Sequence, residues 1–541
     1  MHTLRIRFAN TCKQAGNGFA EFVYREPTYV ISFVILSVLL ISPLWTLTYL
    51  PLGDLPDHAA QLRVITDYAH YKDVFQINWF TPYLLSYAVT LLIAVISPVT
   101  VAIKITLSLF LLAVPISSAW LIQTLKGNKY WVWTSFPVAF GFSFYWGFFS
   151  FVVATPVAIA FFAFVNAYSS KPLNVRAVLT AALFSGLLFF SHGLAWAFSI
   201  LMAVSILILN GHFKAIIWRI LPFLLILPVV FTWTAGPSPS PSSPVELGGY
   251  TQRYVDKVMP EIQWIIKDFN NRTEKGEHLQ RLKEIFSMAI GMPAMMDFVL
   301  LAIFLIIWPW LIGARFAKDW RRYLPVTTVA LCFMIVPYWI QNTAYVYYRF
   351  STFLIPASLF CFSFTPNVET HRSWLVSLRH KLLWSVGFVV VMFVLSITSS
   401  SFKQFRQNDQ DFKQILAAMQ PDKCVLQLIF DQESPFKYSA PYLHYGAWYQ
   451  AEKRGTVLPS FPYDIGAPNV PVHYSGKPWE IPSGWDPNSF NWLKHEGFRY
   501  DYFLVRAYNS KQYLFAAAGD SITLIRQQGA WQLYGRKNLV R

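Results

Sequence analysis

Charged side chains are scarce in this chain. They make up 13% of its 541 residues, whereas soluble domains carry about 25%. Hydrophobic residues reach 55%, and the mean hydropathy is +0.38. This composition excludes an ordinary soluble globular protein and predicts a polytopic α-helical membrane protein.

Cysteine is also rare, with four residues in the whole sequence. Only Cys424 lies beyond residue 400, so we expect no internal disulfide in the C-terminal region. No CxxC or Cys/His spacing indicates a zinc site, and no Gly-rich phosphate-binding loop is present. These absences exclude a disulfide-stabilised module, a zinc-binding module and a P-loop nucleotide-binding fold.

Positive charge exceeds negative charge by 16. In a soluble protein this excess would suggest nucleic-acid binding. Here Lys and Arg lie largely in loops between apolar segments, where they orient a membrane protein. The predicted partners are therefore anionic membrane lipids and lipid-linked phosphates, not nucleic acid. Five basic clusters are predicted on the cytoplasmic side: 126–129, 171–176, 214–219, 315–322 and 372–381.

Placing all five clusters in the cytoplasm predicts about eleven transmembrane helices, with the N-terminal tail (1–28) inside and the C-terminus outside. Segment 82–97 is apolar enough to cross, but crossing would move every basic cluster outside. We therefore predict a juxtamembrane or re-entrant helix there. A twelve-span arrangement, with a tight hairpin at 82–104, stays open. The predicted spans are 29–50, 101–124, 131–146, 148–168, 175–191, 193–210, 216–235, 294–314, 323–341, 350–366 and 382–400.

Three polar regions share the outer side in this topology. The predicted organisation is a transmembrane module (29–235) containing a first outer loop (51–97), a large outer loop (236–293), further helices (294–400) and a soluble α/β domain (401–541). The last region alternates strand-like and helix-like segments, which is typical of a small α/β domain. Strands are predicted at 424–430, 502–505, 523–526 and 531–534, and helices at 442–454 and 489–496.

The first outer loop begins with two carboxylates and an imidazole: Asp54, Asp57 and His58. Charge beside a membrane face is costly, so these residues are candidate catalytic groups. A carboxylate could act as a general base, or Asp54 and Asp57 could share a divalent cation such as Mg²⁺ or Mn²⁺. The alternative is a polar turn in which Asp57 only caps a helix. Residues 59–71 are predicted to form a helix lying on the membrane surface.

Four further residues are candidates for substrate binding. His192 lies between two apolar segments on the outer side, and the alternative there is a histidine that bonds a carbonyl in a helix turn. Arg349 follows a tyrosine-rich run and could grip a phosphate, or it could extend to the membrane interface. Tyr250 and Lys257 could hold an anionic group, although the sequence favours a solvated charged face for each of them taken alone. Aromatic residues reach 18%; most need only anchor the interface, but an aromatic groove could also stack on sugars.

This layout resembles the GT-C class of polytopic glycosyltransferases. The resemblance covers the architecture of the whole chain, with seven predicted spans before the large outer loop. At the residue level it rests on Asp54-Leu-Pro-Asp57-His58 and loosely on Arg349. Adjacent carboxylates are common in that class; here Leu55 and Pro56 separate them, and His58 takes the adjacent place.

The resemblance implies an enzyme that transfers a sugar from a polyprenyl-phosphate carrier to a glycan, lipid or protein acceptor on the outer face. The compact loops, and a glycosylation sequon that is single and weak, predict a bacterial inner membrane with the C-terminal domain in the periplasm. One carboxylate would deprotonate the acceptor hydroxyl, and Arg349 or a metal ion would stabilise the leaving phosphate. No other cofactor is expected.

Two other classes of function stay open. A transporter or flippase of a lipid-linked or anionic substrate would need charged or broken helices at mid-membrane and often repeated halves. The predicted spans carry few ionisable residues, and the two halves do not resemble each other. A non-catalytic membrane assembly protein is the other alternative.

Overall fold

The computed structural model describes residues 26–235, 263–264, 266–273, 275, 277–291, 299–340, 343–363, 374–432, 434, 436, 439–463, 470–476 and 480–537. Within these ranges the chain is mostly helical. Its α-helices include Pro27–Ile41, Leu55–Thr66, Tyr68–Tyr71, Leu84–Ala94, Val99–Thr124, Ser135–Val138, Phe142–Trp146, Phe149–Ser169, Val175–Ser191, Gly193–Leu209, Ile216–Leu224, Leu227–Ala235, Glu277–Ile290, Val299–Leu311, Leu324–Ile335, Leu354–Ser358, Trp374–Lys403, Arg406–Ala417 and Ala447–Lys453. The 3₁₀ segments include Ser42–Trp45, Lys129–Thr134, Phe213–Ala215, Trp320–Tyr323, Tyr347–Phe353, Leu359–Cys361, Phe461–Tyr463, Pro487–Ser489, Gly497–Arg499 and Gln512–Ser521.

Several helices are suited to a membrane. In the described part of the chain, four are long and apolar enough to cross one: Pro27–Trp45, Val99–Thr124, Phe149–Ser169 and Trp384–Ala417. A fifth crossing results if Phe213–Leu224 and Leu227–Thr234, which meet at 57°, form one span. Shorter apolar helices are Leu84–Ala94, Val175–Ser191, Gly193–Leu209 and Leu301–Leu311. The membrane character is confirmed at this level, whereas the count of eleven spans stays a prediction.

Two predicted spans are not continuous helices. Residues 131–146 form a 3₁₀ turn followed by the short helices Ser135–Val138 and Phe142–Trp146. Pro137 and Gly141 interrupt the segment, and every side chain in it is buried. The described part of the second, residues 350–363, is likewise divided between 3₁₀ turns, the short helix Leu354–Ser358 and the strand Phe362–Ser363. Hydropathy identified these segments because they are buried inside the protein, and burial alone does not require a spanning helix.

The segment predicted as juxtamembrane is a short helix. Leu84–Ala94 has eleven residues, fewer than the roughly 20 that cross a bilayer unaided. It packs on Val99–Thr124, where Thr90 and Thr106 share a hydrogen bond of 3.0 Å. The turn between these two helices therefore resembles the tight hairpin considered as the alternative.

A five-stranded mixed sheet lies in the C-terminal part of the chain. Its strands are β4 (Cys424–Ile429), β5 (Thr456–Leu458), β7 (Tyr502–Arg506), β8 (Ile522–Gln528) and β9 (Trp531–Arg536), in the order β5-β4-β7-β9-β8. Strand β4 is parallel to both neighbours, whereas β9 is antiparallel to β7 and β8. The predicted strands and the closing hairpin are confirmed.

One predicted helix in this region is wrong. Residues 489–496 form turns between two 3₁₀ segments. The Asn491 side chain accepts hydrogen bonds from the backbone N–H groups of Leu493 and Lys494. Because such local bonds compete with helical ones, the segment does not continue as a helix.

The first outer loop is packed against the C-terminal region. Strand β1 (Phe75–Ile77) of this loop pairs with β6 (Val472–Tyr474) of the C-terminal region. A separate two-stranded sheet, β2 (Arg315–Phe316) with β3 (Phe362–Ser363), does not involve the loop. Arg63 Nε donates to the Ala451 carbonyl at 2.7 Å, and the Tyr71 hydroxyl donates to the Gly455 carbonyl at 3.0 Å. These contacts place the loop and the C-terminal region on the same side of the helices.

The acidic helix (Leu55–Thr66) corrects the prediction for residues 59–71. It does not lie on a membrane surface, because it packs against Ala447–Lys453 and residues 55–62 are all buried. Val64, on the same helix, belongs to a hydrophobic core shared with the sheet. The amphipathic pattern was real, but its apolar face is covered by protein.

Candidate active site

One large cavity lies where the acidic helix, the apolar helices and the C-terminal region meet. Its volume is about 640 Å³, within the usual size range of small-molecule sites. Asp54, His58, His192 and Arg349 all line it, although they are far apart in sequence. The structure therefore brings together four of the residues selected from sequence. Other lining residues include Tyr83, Trp146, Phe148, Trp339, Tyr345, His444, Ser460, Phe461, Ser483 and Trp485.

Two glycines let the acidic turn approach the wall of this cavity. Gly147 has φ +82°, and a Cβ there would lie 2.8 Å from the Asp54 nitrogen. A Cβ on Gly53 would lie 2.8 Å from the Trp146 carbonyl oxygen. The Asp54 N–H donates to that same carbonyl at 2.9 Å. Only glycine tolerates these contacts, so the two turns fix the position of Asp54.

Asp57 is not a helix cap. The acidic helix begins at Leu55, which places Asp57 in its first turn, fully buried. One carboxylate oxygen accepts a 3.4 Å hydrogen bond from the Phe461 N–H, and the other has no hydrogen-bond partner among the described residues. The carboxylate is thus directed at the C-terminal region, and the interpretation of Asp57 as a cap alone is wrong.

His444 stands between the two carboxylates. Its Nδ1 lies 3.0 Å from Asp57 Oδ2, and its Nε2 lies 3.9 Å from Asp54 Oδ1. Burial opposes the imidazolium, but the attraction of Asp57 and then Asp54 outweighs it and raises the pKa of His444. This histidine was missed in the sequence because it is almost 400 residues from its partners and belongs to no recognisable motif.

Asp54 has the properties of a general base that titrates near neutrality. Burial raises the pKa of its carboxyl to about 7; His444 opposes the rise and the Asp57 charge adds to it. A hydrogen bond with the Trp146 side chain stabilises its charged form. A base is most effective when its pKa is close to the working pH.

His58 lines the cavity as a neutral imidazole. Its Nδ1 lies 2.7 Å from the Tyr87 hydroxyl, and its ring packs against Phe149 and Phe461. Burial, with the charges of His444 and Arg349, lowers the pKa of His58 to about 3. Its imidazole is therefore uncharged at neutral pH.

Arg349 is a buried cation that faces the cavity. Only 4% of its surface is exposed, and its guanidinium lies 3.7 Å from the centre of the Phe148 ring. It donates to the Ala344 carbonyl at 3.3 Å. Among the described residues, no carboxylate lies within 4.0 Å of it, and its Nε has no hydrogen-bond partner.

His192 touches Arg349 while capping a helix. Its Nδ1 lies 3.2 Å from the Leu194 N–H at the start of Gly193–Leu209, and its Nε2 lies 3.3 Å from Arg349 Nη1. A neutral imidazole has one acceptor nitrogen, so it accepts from only one of these donors at a time. The contact with His192 therefore does not saturate the Arg349 donors.

The structure does not test two of the candidate binding residues, and it does not establish the predicted metal site. Tyr250 and Lys257 lie outside the described residues. Within those residues, no three His, Cys, Asp or Glu side chains converge as metal ligands. His444 occupies the space between Asp54 and Asp57, where a shared cation would sit. A Mg²⁺ or Mn²⁺ site on these carboxylates stays a prediction, and no step below depends on it.

No significant match to this chain was found among protein-family models, curated proteins or solved structures.

Proposed function

We propose that this protein is a membrane glycosyltransferase of the GT-C type. It transfers a sugar from a polyprenyl-phosphate carrier to an acceptor, on the periplasmic face of a bacterial inner membrane. The observation that supports this function best is the cavity itself. One wall carries Asp54 and His444, with Asp57 behind them, and another carries the buried guanidinium of Arg349.

The position of Arg349 favours an anionic ligand. Asp54 attracts Arg349 across the cavity, but no carboxylate of the described residues forms a close ion pair with it, and a buried ion without a close partner costs several kcal/mol. A phosphate in the cavity would supply a close opposite charge, and a guanidinium binds phosphate through two parallel hydrogen bonds. The phosphate of a lipid carrier fits, because His192 lies between the apolar helices Val175–Ser191 and Gly193–Leu209, and Arg349 contacts His192 from the 3₁₀ segment Tyr347–Phe353.

The opposite wall favours removal of a proton. Asp54 takes the proton of an acceptor hydroxyl, and the freed oxygen attacks the anomeric carbon of the donor sugar. The bond from that carbon to the phosphate oxygen breaks, and its electron pair leaves with the phosphate. Arg349 stabilises the added negative charge on the departing polyprenyl phosphate.

Asp57 and His444 act through Asp54. Asp57 is too deeply buried to reach a substrate, but it holds the His444 imidazole in place. A protonated His444 would favour the ionised form of Asp54 by attraction. We therefore assign Asp54 as the catalytic base and the other two as positioning residues.

A donor-consumption assay tests this function. The purified protein in lipid nanodiscs is incubated with radiolabelled undecaprenyl-phosphate-linked sugars and a crude glycan fraction. We expect release of undecaprenyl phosphate by the wild type. Asp54→Asn should lower the rate about 10²–10⁴-fold, the usual contribution of a general base.

The matched control is Asp422→Asn, since that carboxylate is 40% exposed and remote from the cavity. Its rate should equal that of the wild type. Unchanged rates in both Asp54→Asn and Asp57→Asn would remove the acidic wall from the mechanism. Absence of donor consumption by the wild type would reject the transferase itself.

A further inference from the structure

An aromatic surface forms the mouth of the cavity. Trp485 is 55% exposed, yet it lines the cavity and lies nearly parallel to Trp146, with ring centroids 6.2 Å apart at 21°. The ring centroids of Trp146 and Tyr345 are in turn 4.0 Å apart. Tyr345 has φ +57°, a conformation that costs a non-glycine residue about 1–2 kcal/mol. A strained aromatic residue at a cavity points to a ligand-binding role.

The loop that carries Trp485 is held in place by local bonds. The Trp485 N–H donates to the Ser483 hydroxyl at 3.2 Å, and the Ser483 N–H donates to the Ser489 hydroxyl at 3.3 Å. A Cβ on Gly484 would lie 3.0 Å from Pro459, so the loop fits closely against its neighbour. The backbone on either side of Trp485 is therefore held in place, and the indole itself stacks on Trp146.

The same aromatic surface is joined to the proposed base. The Trp146 side chain hydrogen-bonds Asp54, and the Trp146 carbonyl accepts from the Asp54 N–H. Trp146 itself is buried, so a molecule stacked on the accessible ring of Trp485 would lie beside Trp146 and direct its polar edge toward Asp54. The hydroxyls of Ser460 and Ser483 also line the cavity. This combination suits a sugar ring, which presents C–H groups on one face and hydroxyl groups around its edge.

We propose that the acceptor is a carbohydrate, and that one of its rings stacks on Trp485, beside Trp146, with a hydroxyl at Asp54. Trp485 is then a specificity-determining residue. This proposal rests on the proposed function, because only a transferase has an acceptor. The catalytic base of a transferase acts on the acceptor and not on the donor. It selects a glycan among the three acceptor classes that the sequence left open. Membrane anchoring does not explain Trp485, because its ring packs over a cavity and on a second indole.

A binding experiment without donor tests the carbohydrate site. The full-length protein, in nanodiscs free of glycoside detergents, is titrated with cellotetraose, maltotetraose, chitotetraose and mannotetraose. Saturation-transfer NMR gives the contacted sugar protons and the dissociation constants. We expect at least one of the four to bind through its ring C–H protons. Trp485→Ala should weaken that binding about 10-fold, which corresponds to about 1.4 kcal/mol of stacking.

Two variants separate stacking from a general loss of structure. Trp485→Phe keeps an aromatic face and should bind within threefold of the wild type. Leu493→Ala changes a more accessible residue of the same region, 77% exposed, and should have no effect. Failure of all four sugars to bind, or equal binding by Trp485→Ala and wild type, overturns the proposal.

The transfer assay distinguishes the two proposals. Sugar binding that depends on Trp485, without donor consumption, rejects the transferase and keeps the carbohydrate site. If donor is consumed, Trp485→Ala should raise the KM for the acceptor and leave the KM for the donor unchanged. Donor consumption with an unchanged acceptor KM in Trp485→Ala rejects the carbohydrate site and keeps the transferase.

Discussion

Replacing Arg349 by methionine should separate ligand binding from stability. Methionine preserves most of the side-chain volume over Phe148 and removes the charge. In the ligand-free protein this charge is buried without a carboxylate within 4.0 Å among the described residues. Removing it should therefore leave the thermal stability unchanged or raise it, because exchanging a buried ion for an apolar group is often stabilising.

The same Arg349→Met substitution should weaken binding of the lipid donor. Loss of one member of a buried charge pair costs about 2–5 kcal/mol, and 1.4 kcal/mol is a factor of ten. The affinity for the lipid donor should therefore fall at least about 30-fold. The KM for the acceptor should change much less, since the acceptor lies against the Asp54 wall.

The chain offers a matched control in Arg506. It is 3% exposed and lies 3.7 Å from the Tyr442 ring centre, as Arg349 lies over Phe148. Unlike Arg349, it forms an ion pair with Asp431. Arg506→Met should therefore destabilise the protein by about 3–5 kcal/mol. Thermal unfolding in nanodiscs and donor titration measure the two effects. Equal destabilisation by both substitutions, or equal effects of Arg349→Met on both substrates, would refute the reasoning.

The remaining predictions concern the acidic wall. Transfer by the wild type should rise with pH through about 7, as Asp54 loses its proton; a flat profile would exclude this base. Because burial raises the folded-state pKa of Asp54, its stabilising contribution is lost as pH rises from about 4 to 7. Asp54→Asn should therefore gain thermal stability relative to wild type across that window, and a constant difference would contradict this. Asp57→Asn should lower the pKa of His444 in NMR titration, whereas Asp67→Asn, a half-buried carboxylate that pairs with Arg63, should not. Gly147→Ala should destabilise by at least about 1–2 kcal/mol because of its positive φ; the helical Gly186→Ala, with its nearest new contact at 3.8 Å, serves as control.

The sequence predicted those residues of the candidate site that stand out within their own short segments. Asp54 and Asp57 stood out because charge is rare in this chain, and Arg349 stood out because it follows a row of tyrosines. The sidedness of the basic clusters then placed these residues with His192 on one side. The structure confirms their proximity, since Asp54, His192 and Arg349 line one cavity.

Other parts of the site could not be predicted, for physical reasons. His444 becomes a partner of Asp57 only through packing of Ala447–Lys453 on the acidic helix, a contact between regions almost 400 residues apart. Trp146 and Trp485 are two of 21 tryptophans, and composition does not tell a cavity wall from a membrane anchor. Segment 131–146 had the hydropathy of a span because buried protein and lipid select the same side chains.

The pairing of β1 with β6 has a consequence for biosynthesis. Phe75–Ile77 leaves the ribosome about 400 residues before Val472–Tyr474, which is roughly 20–80 s at 5–20 residues per second. During that interval the early strand has an open edge, and unpaired edges invite aggregation. His444 and Trp485 are also still to be made, so the nascent protein holds an incomplete form of the proposed reaction centre.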